Sequence, residues 1–312
     1  MMAIDLFAGS GGFTEGAESV PGVKVIWAAN HWRLAVDVHS RNHPETEHAC
    51  QDMHQTDWTQ VPSMDLVLAS PCCQGHSAAA SRGGTGKRGT APHHDALRST
   101  AWAVVSCVEV HRPPFVLVEN VTDFMNWTLY DVWKAAMTKL GYALHENVVD
   151  AADLGVPQER KRLFITAVRA KSPLVLKLPK RPRVGFSACL DPDAGNWELV
   201  AKKPPAVRER VAKGRVNFPR GMFITQHVTG HPGRSLDRPI GTITTKHHWA
   251  VCRPSRRGDE MRMLNVDEHR CAMGFPKGYW LPRTTCDSVK LLGNAVCPPV
   301  AKAIVAEIMR RV

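Results

Sequence analysis

The 312-residue sequence lacks long hydrophobic runs, paired cysteine spacings and, at its amino terminus, a basic region followed by an apolar one. Without a long hydrophobic run, the chain is not expected to span a membrane. Without such a start, we expect no signal peptide. The nine cysteines are odd in number and scattered, which favours reduced thiols over a disulfide framework. These absences predict a cytoplasmic protein with no membrane partner.

Acidic residues are fewer than basic ones, and the formal net charge is +11. Between Arg169 and Arg220 there are thirteen Lys or Arg residues and four Asp or Glu residues, so this sixth of the chain holds most of the excess. A solvated basic face would explain a charge run alone. Because the stretch is also rich in proline and lacks a periodic apolar pattern, it favours irregular loops that bind a polyanion such as nucleic acid.

Short apolar runs alternate with helical spacing from the start of the chain to about Val168. The runs that predict buried strands are "MAIDLFA", "VKVIWAAN", "MDLVLAS", "FVLVENV" and "RLFITAV". This alternation predicts an α/β fold with a Rossmann-like, mainly parallel sheet and helices on both faces. In such sheets, ligands bind beyond the carboxyl ends of the strands.

The alternation stops after Val168, and the chain is long enough for two domains. We predict a catalytic, donor-binding domain formed by residues 1–167 and 277–312. A smaller, irregular domain is predicted over residues 168–276. The stretch "VKLLGNAVCPPVAKAIVAEIMRR" predicts a strand-like or turn start that leads into an amphipathic helix.

A glycine-rich turn, "DLFAGSGGF", follows the first predicted strand. Gly9, Gly11 and Gly12 allow a tight turn and a close approach of the backbone to a ligand. The turn lacks the Lys-Ser/Thr ending of a phosphate-binding loop and contains no G-x-G-x-x-G run, so a ligand with an adenosine but no phosphates fits better. Turns of this kind also occur where nothing binds.

Two adjacent cysteines stand in "SPCCQGHS", directly after the predicted strand "MDLVLA". Adjacent cysteines rarely bond to each other, and a metal site would need a wider spacing. The pair is therefore either a reactive thiol beside a packing neighbour or two inert core residues. A single cysteine is more often an inert core residue. The position of this pair at a strand end, next to a loop rich in Arg and Lys, makes a reactive thiol an equally good interpretation.

Charged residues follow two further predicted strands. Glu119, in "ENV", can act as an acid, contact an amino group, or simply cap the following helix. Arg160 and Arg162, in "QERKR", alternate along a predicted strand, so we expect them to point to the same side. Two guanidinium groups on one side suit an anionic or oxygen-bearing partner.

Six motifs in order, "DLFAGSGGF", "PCCQGHS", "ENV", "QERKR", "RPIGTIT" and "GNAV", resemble those of the DNA (cytosine-5)-methyltransferase family. The resemblance covers nearly the whole chain. It implies a class I methyltransferase fold and a monomeric enzyme that methylates cytosine in a specific sequence of double-stranded DNA, as in restriction-modification systems. S-Adenosyl-L-methionine is the implied donor, and no metal site is implied. The implied target-recognition domain coincides with the basic stretch.

The resemblance also assigns catalytic roles. Cys73, directly before the glutamine, would add to carbon 6 of the cytosine and so make carbon 5 nucleophilic. Glu119 would hold N3 and the amino group, and Arg160 and Arg162 would bind the O2 side of the base or hold the active-site loop. The base must first be flipped out of the duplex. The implied DNA-binding residues are Gln74, Ser77, Arg82, Lys87 and Arg88.

The implied donor pocket draws on most of the motifs. Trp32 would stack on the adenine; the alternative is that Trp32 is a core aromatic residue. Asp52 would bind the adenine amino group. The full set of implied donor-binding residues is Phe7, Ala8, Gly9, Gly11, Gly12, His31, Trp32, Asp52, Met53, Cys72, Asn294 and Val296.

Three positions depart from the family pattern. Cys72 stands where a proline is usual, His31 where an acidic residue is usual, and His76 where an aromatic is usual. Two of these lie near the implied donor pocket, which leaves open a carboxylated donor and transfer of a larger group. An RNA C5 methyltransferase and a catalytically silent binding protein are further alternatives, and a bacterial or phage origin is equally compatible.

Overall fold

The computed structural model describes residues 1–72, 99–228 and 230–311. By their contacts, the residues form two compact units. The first unit comprises Met1–Asp150, Lys161–Pro179 and Ala295–Val312, and the second comprises Ala151–Arg160 and Lys180–Asn294. The chain therefore leaves the first unit twice and returns to it twice.

The first unit contains a seven-stranded sheet. Its strands are β1 (Met2–Leu6), β2 (Lys24–Asn30), β3 (Glu47–Cys50), β4 (Leu66–Ala69), β5 (Phe115–Asn120), β6 (Ala143–Asp150) and β7 (Lys161–Val168). They lie in the order β3-β2-β1-β4-β5-β7-β6. Pairs from β3 to β5 are parallel, whereas β7 is antiparallel to both of its neighbours. The predicted α/β fold with a mainly parallel sheet is confirmed.

Eight α-helices occur in the part of the chain that the structure describes. They are α1 (Gly12–Glu18), α2 (Arg33–Asn42), α3 (Trp102–His111), α4 (Tyr130–Lys139), α5 (Pro205–Asn217), α6 (Val266–Ala272), α7 (Thr285–Asn294) and α8 (Pro298–Met309). Helices α5, α6 and α7 belong to the second unit.

The central strands of the first unit are buried because their continuous apolar runs are covered on both faces. Every residue of β4 is buried, and so are the last five residues of β5. Helix α1 packs against α8 at Gly16, where a Cβ atom would collide with the carbonyl oxygen of Pro298 and the Cβ atom of Ala301. These contacts fix β1, β4 and β5, whose carboxyl ends carry the candidate site.

The second unit has an antiparallel sheet and its own small core. Its strands are β8 (Glu198–Leu199), β9 (Phe223–Gln226), β10 (Trp249–Ser255) and β11 (Gly258–Met263), in the order β8-β11-β10-β9. Phe223, Ala250 and Met261 pack together with Val211 of α5. Antiparallel strands of this kind need a core on one face only.

A disulfide in the second unit corrects the prediction that all cysteines are unpaired. Cys189 and Cys271, 82 residues apart in the sequence, form this bond with their Cα atoms 5.4 Å apart. Cys189 ends a short 3-10 turn and Cys271 lies on α6. A pairing between such distant residues leaves no spacing pattern in the sequence, so the scatter of cysteines could not indicate it.

Three elements differ from the sequence-based predictions. Strands β3 and β6 were not predicted, because "EHAC" and "ALHENVVD" contain polar residues on both faces. The expectation of a strand-like or turn start near "VKLLGN" was wrong. Helix α7 covers this stretch and buries Val289, Leu291 and Leu292 on one side.

The two compact units do not share the bounds of the predicted domains. By their contacts, residues 151–160 and 277–294 belong to the second unit, and residues 168–179 belong to the first. The division into a catalytic and a target-recognition domain stays a prediction.

One described segment, Thr285–Met309, is long and apolar enough to cross a membrane by length and composition. It consists of helices α7 and α8, and 72% of its apolar window is buried inside the fold. A core helix of a globular protein passes the same test, so the segment is weak evidence for a membrane span.

Candidate active site

The glycine-rich turn joins β1 to α1 through residues with left-handed backbone conformations. Phe7, Gly9 and Gly11 have φ angles of 64°, 56° and 89°. The amide of Ala8 donates to the carbonyl of Ala29 on β2 at 3.0 Å, and the amide of Gly11 donates to Ala8 at 2.9 Å. These bonds fix a tight turn that ends where Gly12 begins α1. An L side chain at Gly9 or Gly11 would strain this path.

Asp5 lies fully buried in β1, two residues before the turn. Its Oδ2 accepts a hydrogen bond of 2.8 Å from the hydroxyl of Thr14 on α1. Among the described residues, its Oδ1 has no hydrogen-bond partner. Burial raises the pKa of Asp5 to about 7, against the opposing effect of the Thr14 hydrogen bond. Near neutral pH this carboxyl group can therefore carry or lose a proton.

The next turn, at the end of β2, places His31 and Trp32. The amide of Trp32 donates to Oδ1 of Asn30 at 2.9 Å, and Trp32 precedes the first turn of α2. The side chain of His31 is exposed and that of Trp32 is partly buried. Partial burial leaves ring surface that a ligand can contact, and the stacking role of Trp32 stays a prediction.

The turn after β3 carries Asp52 and Met53. Asp52 is exposed, and its Oδ1 accepts from the amide of His54 at 3.0 Å, which caps a 3-10 turn. Met53 is only 2% exposed and packs in the main apolar cluster of the first unit. The Met53 side chain is thus part of the core, and only its backbone remains available to a ligand.

The segment after β4 leads into the cysteine pair. The carbonyl of Pro71 accepts a hydrogen bond of 3.1 Å from the side-chain amide of Asn120, at the end of β5. The amide of Cys72 donates to the hydroxyl of Thr100 at 3.0 Å, and Cys72 is partly buried. These contacts anchor the chain directly before Cys73. Seven residues singled out in the sequence lie outside the described residues: Cys73, Gln74, His76, Ser77, Arg82, Lys87 and Arg88.

Glu119 and Arg162 lie next to each other on the paired strands β5 and β7. Nε of Arg162 is 3.3 Å from Oε1 of Glu119, and the two side chains are 17% and 9% exposed. The N-cap residue of the 3-10 turn that follows β5 is Val121, which makes no side-chain cap. A nearly buried carboxylate paired with a guanidinium is held in one orientation.

Arg160 lies before β7 and makes its contacts inside the second unit. Its Nη1 donates to the carbonyl of Ile243 at 2.9 Å, and its Nη2 donates to that of Gly293 at 3.0 Å. Arg160 is 4% exposed. The expectation that both Arg160 and Arg162 lie on one strand was wrong, because β7 begins only at Lys161. Neither contact involves the active-site loop, so both roles predicted for Arg160 stay predictions.

The last predicted donor-binding residues fall on either side of a unit boundary. Asn294 ends α7 in the second unit and is exposed. Val296 belongs to the first unit and is 5% exposed. The predicted donor-binding residues from Phe7 to Cys72 all lie in the first unit, after the carboxyl ends of neighbouring strands.

A family model described as C-5 cytosine-specific DNA methylase matches residues 1–193 and 196–310. The chain belongs to the C-5 cytosine-specific DNA methylase family. The predicted family and enzyme class are confirmed. Membership implies dependence on S-adenosylmethionine and a DNA substrate.

Curated relatives of this DNA methylase are type II methyltransferases. M.HhaI of Haemophilus parahaemolyticus is 26% identical over 319 residues, which are 94% of this chain and 89% of the relative. M.HgiDI of Herpetosiphon aurantiacus is 28% identical over 318 residues, which are 95% of this chain and 90% of the relative.

Solved structures share the fold of this methylase at low identity. The Dnmt2 methyltransferase of S. pombe is 13% identical with a TM-score of 0.71, covering 100% of this chain and 98% of that one. The Entamoeba histolytica methyltransferase EhMeth is 16% identical with a TM-score of 0.70, covering 99% and 97%. At these identities, the likeness concerns the fold alone.

The turn after β1 fits the donor of a methylase in two respects. Among the described residues, a Cβ atom built at Gly9 would have one neighbour within 4 Å, the carbonyl oxygen of Phe7 at 3.9 Å, so these residues leave space beside the turn. The buried carboxyl group of Asp5 below the turn suits a cationic ligand, because a nearby positive charge favours its ionised form. Within the described residues, no group of three or more His, Cys, Asp or Glu side chains could hold a metal ion.

Sequence reasoning missed several polar residues that hold this methylase together. Gln158 is fully buried, accepts from the amide of Ile243 at 2.7 Å and donates to the carbonyl of Ala272 at 3.2 Å. The sequence shows that Gln158 belongs to the motif "QERKR". It does not show which residues bond to Gln158, because these lie more than 80 residues away in the chain. Asp5 also belongs to a predicted motif, and no pattern indicated its bond to Thr14.

Proposed function

We propose that this chain methylates carbon 5 of cytosine at a specific sequence in double-stranded DNA, with Cys73 as the covalent nucleophile. The observation that supports this most directly is the Glu119–Arg162 pair at the end of β5. In the same unit, Asn120 and Thr100 hold the segment that leads into Cys73. Addition to a pyrimidine requires a carboxylate held in one orientation and a thiol near it, and the anchored segment ends directly before Cys73.

Each residue in this proposal has a defined task. The Cys73 thiolate adds to carbon 6 of the flipped cytosine, and the ring becomes an enamine with raised electron density at carbon 5. Glu119 holds N3 and the amino group, while Arg162 keeps the Glu119 carboxylate in place. S-Adenosylmethionine supplies the methyl group from its sulfonium centre. Solvent base then removes the carbon 5 proton, the bond from Cys73 to carbon 6 breaks, and the aromatic ring is restored.

The remaining contacts in the proposal follow from charge. The backbone of the turn from Phe7 to Gly12, with His31, Trp32 and Asp52, holds the donor. The basic second unit and the Lys and Arg side chains between Gln74 and Arg98 meet DNA phosphates. We further propose that the protein acts as a monomer in the cytoplasm of a bacterial or phage-infected cell. Light scattering after size-exclusion chromatography tests the monomer.

The cysteine pair offers a matched test. Cys73→Ser should lower methyl transfer to DNA by roughly 10³-fold or more, because serine is a far weaker nucleophile at neutral pH. Cys72→Ser, one residue away, should keep most of the activity. Transfer of labelled methyl groups to plasmid DNA is the measurement. DNA that contains 5-fluorocytosine should be trapped covalently by the Cys72→Ser protein and not by the Cys73→Ser protein. Equal activity of the two variants would contradict the role of Cys73.

The exposed side chain of His31, where the family has an acid, supports a second candidate. An imidazole at the end of β2 could meet a carboxylate on the donor, and a larger group would then reach carbon 5. Mass spectrometry of nucleosides from modified DNA separates the candidates. A mass gain of one methyl group excludes the carboxylated donor. Competition by duplex DNA against tRNA separates the DNA substrate from RNA.

A further inference from the structure

Four side chains form a continuous hydrogen-bonded chain inside the first unit. The Thr14 hydroxyl bonds Oδ2 of Asp5 at 2.8 Å and Nε2 of His39 at 3.0 Å. Nδ1 of His39 lies 2.8 Å from Nε2 of His48. Asp5, Thr14 and His39 are buried, whereas His48 on the edge strand β3 is partly exposed. The chain thus runs from the surface to the carboxyl group below the turn after β1.

The direction of these bonds depends on one proton. A neutral imidazole has one donor and one acceptor nitrogen, and a hydroxyl has one hydrogen. When Asp5 is ionised, Thr14 donates to it, His39 donates through Nε2 to Thr14, and His48 donates through Nε2 to His39. When Asp5 is protonated, all three bonds reverse, and His48 carries its hydrogen on Nδ1. Both states keep every bond.

Both states are accessible near neutral pH. Burial raises the pKa of Asp5 to about 7. The pKa of His39 lies well below its usual value because of burial first, and then because of the charges of His43 and His48. His39 therefore stays neutral and can pass a proton from one ring nitrogen to the other. Burial also lowers the pKa of His48, although a backbone hydrogen bond at Thr46 opposes this.

Several charged groups on the elements around this chain form ion pairs. They are Glu18 with His43 at 3.0 Å, Glu15 with His43 at 3.9 Å, Lys24 with Glu45 at 2.9 Å, Arg33 with Asp37 at 2.9 Å, and Glu307 with Arg310 at 2.7 Å and Arg311 at 3.2 Å. The other charged groups on these elements, Arg41, Glu47 and Lys302, are exposed to solvent. Asp5 makes no ion pair among the described residues, so no fixed cation holds its carboxyl group in the ionised form.

We propose that Asp5, Thr14, His39 and His48 form a proton relay. Binding of the sulfonium donor releases a proton through this relay, whereas binding of its thioether product releases none. The inference rests on the proposed use of S-adenosylmethionine. Asp5 and Thr14 flank the turn in sequence and are bonded beneath it. Donor and product share their adenosine, ammonium and carboxylate groups and differ by the methyl group and its positive charge. A cation at the turn favours ionised Asp5, and the proton leaves through His39 and His48.

Calorimetry of donor and product binding tests the relay without turnover. Titrations at pH 7 in phosphate and in Tris, whose ionisation enthalpies differ, give the number of protons released. We expect a fraction of one proton for S-adenosylmethionine and none for S-adenosylhomocysteine. Because ionised Asp5 favours the cation, the ratio of donor to product affinity should rise as the pH increases through about 7. Above pH 9 the release should vanish, since Asp5 is already ionised.

Variants separate a relay from a merely structural network. Asp5→Asn should abolish the difference in proton release between donor and product. Thr14→Val removes the side-chain hydrogen bond, the larger of the two Thr14 bonds that oppose the pKa rise of Asp5. The release should therefore move to higher pH, while Thr14→Ser should keep it in place. His145→Gln is a matched control, because His145 lies on the opposite edge strand β6. In the ligand-free protein, the ¹⁵N chemical shifts of His39 and His48 should show that both tautomers reverse as Asp5 titrates. In Thr14→Val this reversal should no longer follow the titration of Asp5.

Two results would overturn the inference alone: equal proton release for donor and product, or unchanged release in Asp5→Asn. In either case both ligands still bind, and the proposed function stands. Failure of the protein to bind either ligand would instead overturn the proposed function and the relay with it.

Discussion

Arg160 and Arg162 are one residue apart in the chain and differ in every contact that the structure describes for them. Arg160 donates to two backbone carbonyls in the second unit. Arg162 pairs with Glu119 at the end of β5 in the first. Sequence alternation alone predicted one shared direction for them, because it could not locate the first residue of β7. The two residues therefore allow stability and catalysis to be tested separately.

For these two arginines we predict different effects of the same substitution. Arg160→Ala should lower the free energy of unfolding by roughly 2 to 4 kcal/mol, because it leaves buried carbonyls without donors. Arg162→Ala should lower kcat/KM by about 100-fold, because Glu119 loses a group that orients it, and should lower the melting temperature less than Arg160→Ala does. Thermal unfolding and methyl-transfer kinetics are the measurements. A large loss of stability with Arg162→Ala and none with Arg160→Ala would reverse these assignments.

The acid stability of the second unit depends on His269, which is fully buried on α6. Burial lowers its pKa to about 4. A histidine whose pKa is depressed on folding contributes stability above its unfolded value of about 6.5, and this contribution is lost as the pH falls towards 4. His269→Gln should thus weaken the loss of stability between pH 6.5 and 4. Urea unfolding at several pH values measures it, and an unchanged slope would contradict the prediction.

Individual strands and helices differ in how well the sequence predicts them. Strands β1, β2, β4, β5 and β7 were predicted because they are apolar on both faces, as interior strands of a parallel sheet require. The edge strands β3 and β6 have polar residues that mimic loops. The motifs located the turn after β1, Cys72 and Glu119, because each follows an apolar run. The chain from Asp5 to His48 joins four elements and could not be predicted from local patterns.

The contact between α1 and α8 gives a prediction at this scale. Gly16→Ala should lower the free energy of unfolding by about 1 to 3 kcal/mol, because its Cβ atom would meet the backbone of Pro298 and the side chain of Ala301. Gly221→Ala is the matched control, since a Cβ atom there would have no described neighbour within 4 Å. Denaturant unfolding of both variants is the measurement. Equal stability of the two proteins would show that the helices separate at little cost.

The charge of the whole molecule is concentrated in the segment that enters the second unit. Affinity for duplex DNA should therefore fall steeply with salt, as counterion release requires. Replacing the exposed cations Lys202, Arg208 and Arg220 by Gln should weaken binding and reduce the salt slope. Replacing Arg41, Lys139 and Lys302 of the first unit should change both much less. Fluorescence anisotropy at several salt concentrations measures the slopes, and equal slopes would place the DNA contacts elsewhere.

The short excursion of residues 151–160 out of the first unit has a consequence for engineering. Arg160 and Gln158 are bonded to carbonyls and amides near Ile243, and Arg183 pairs with Asp153 at 2.8 Å. A chimera that takes only residues 180–294 from a relative would retain residues 151–160 of this chain, whose hydrogen-bond partners would then have been replaced. Transplanting both segments together keeps these bonds intact, so the modular piece of this protein is discontinuous in its gene.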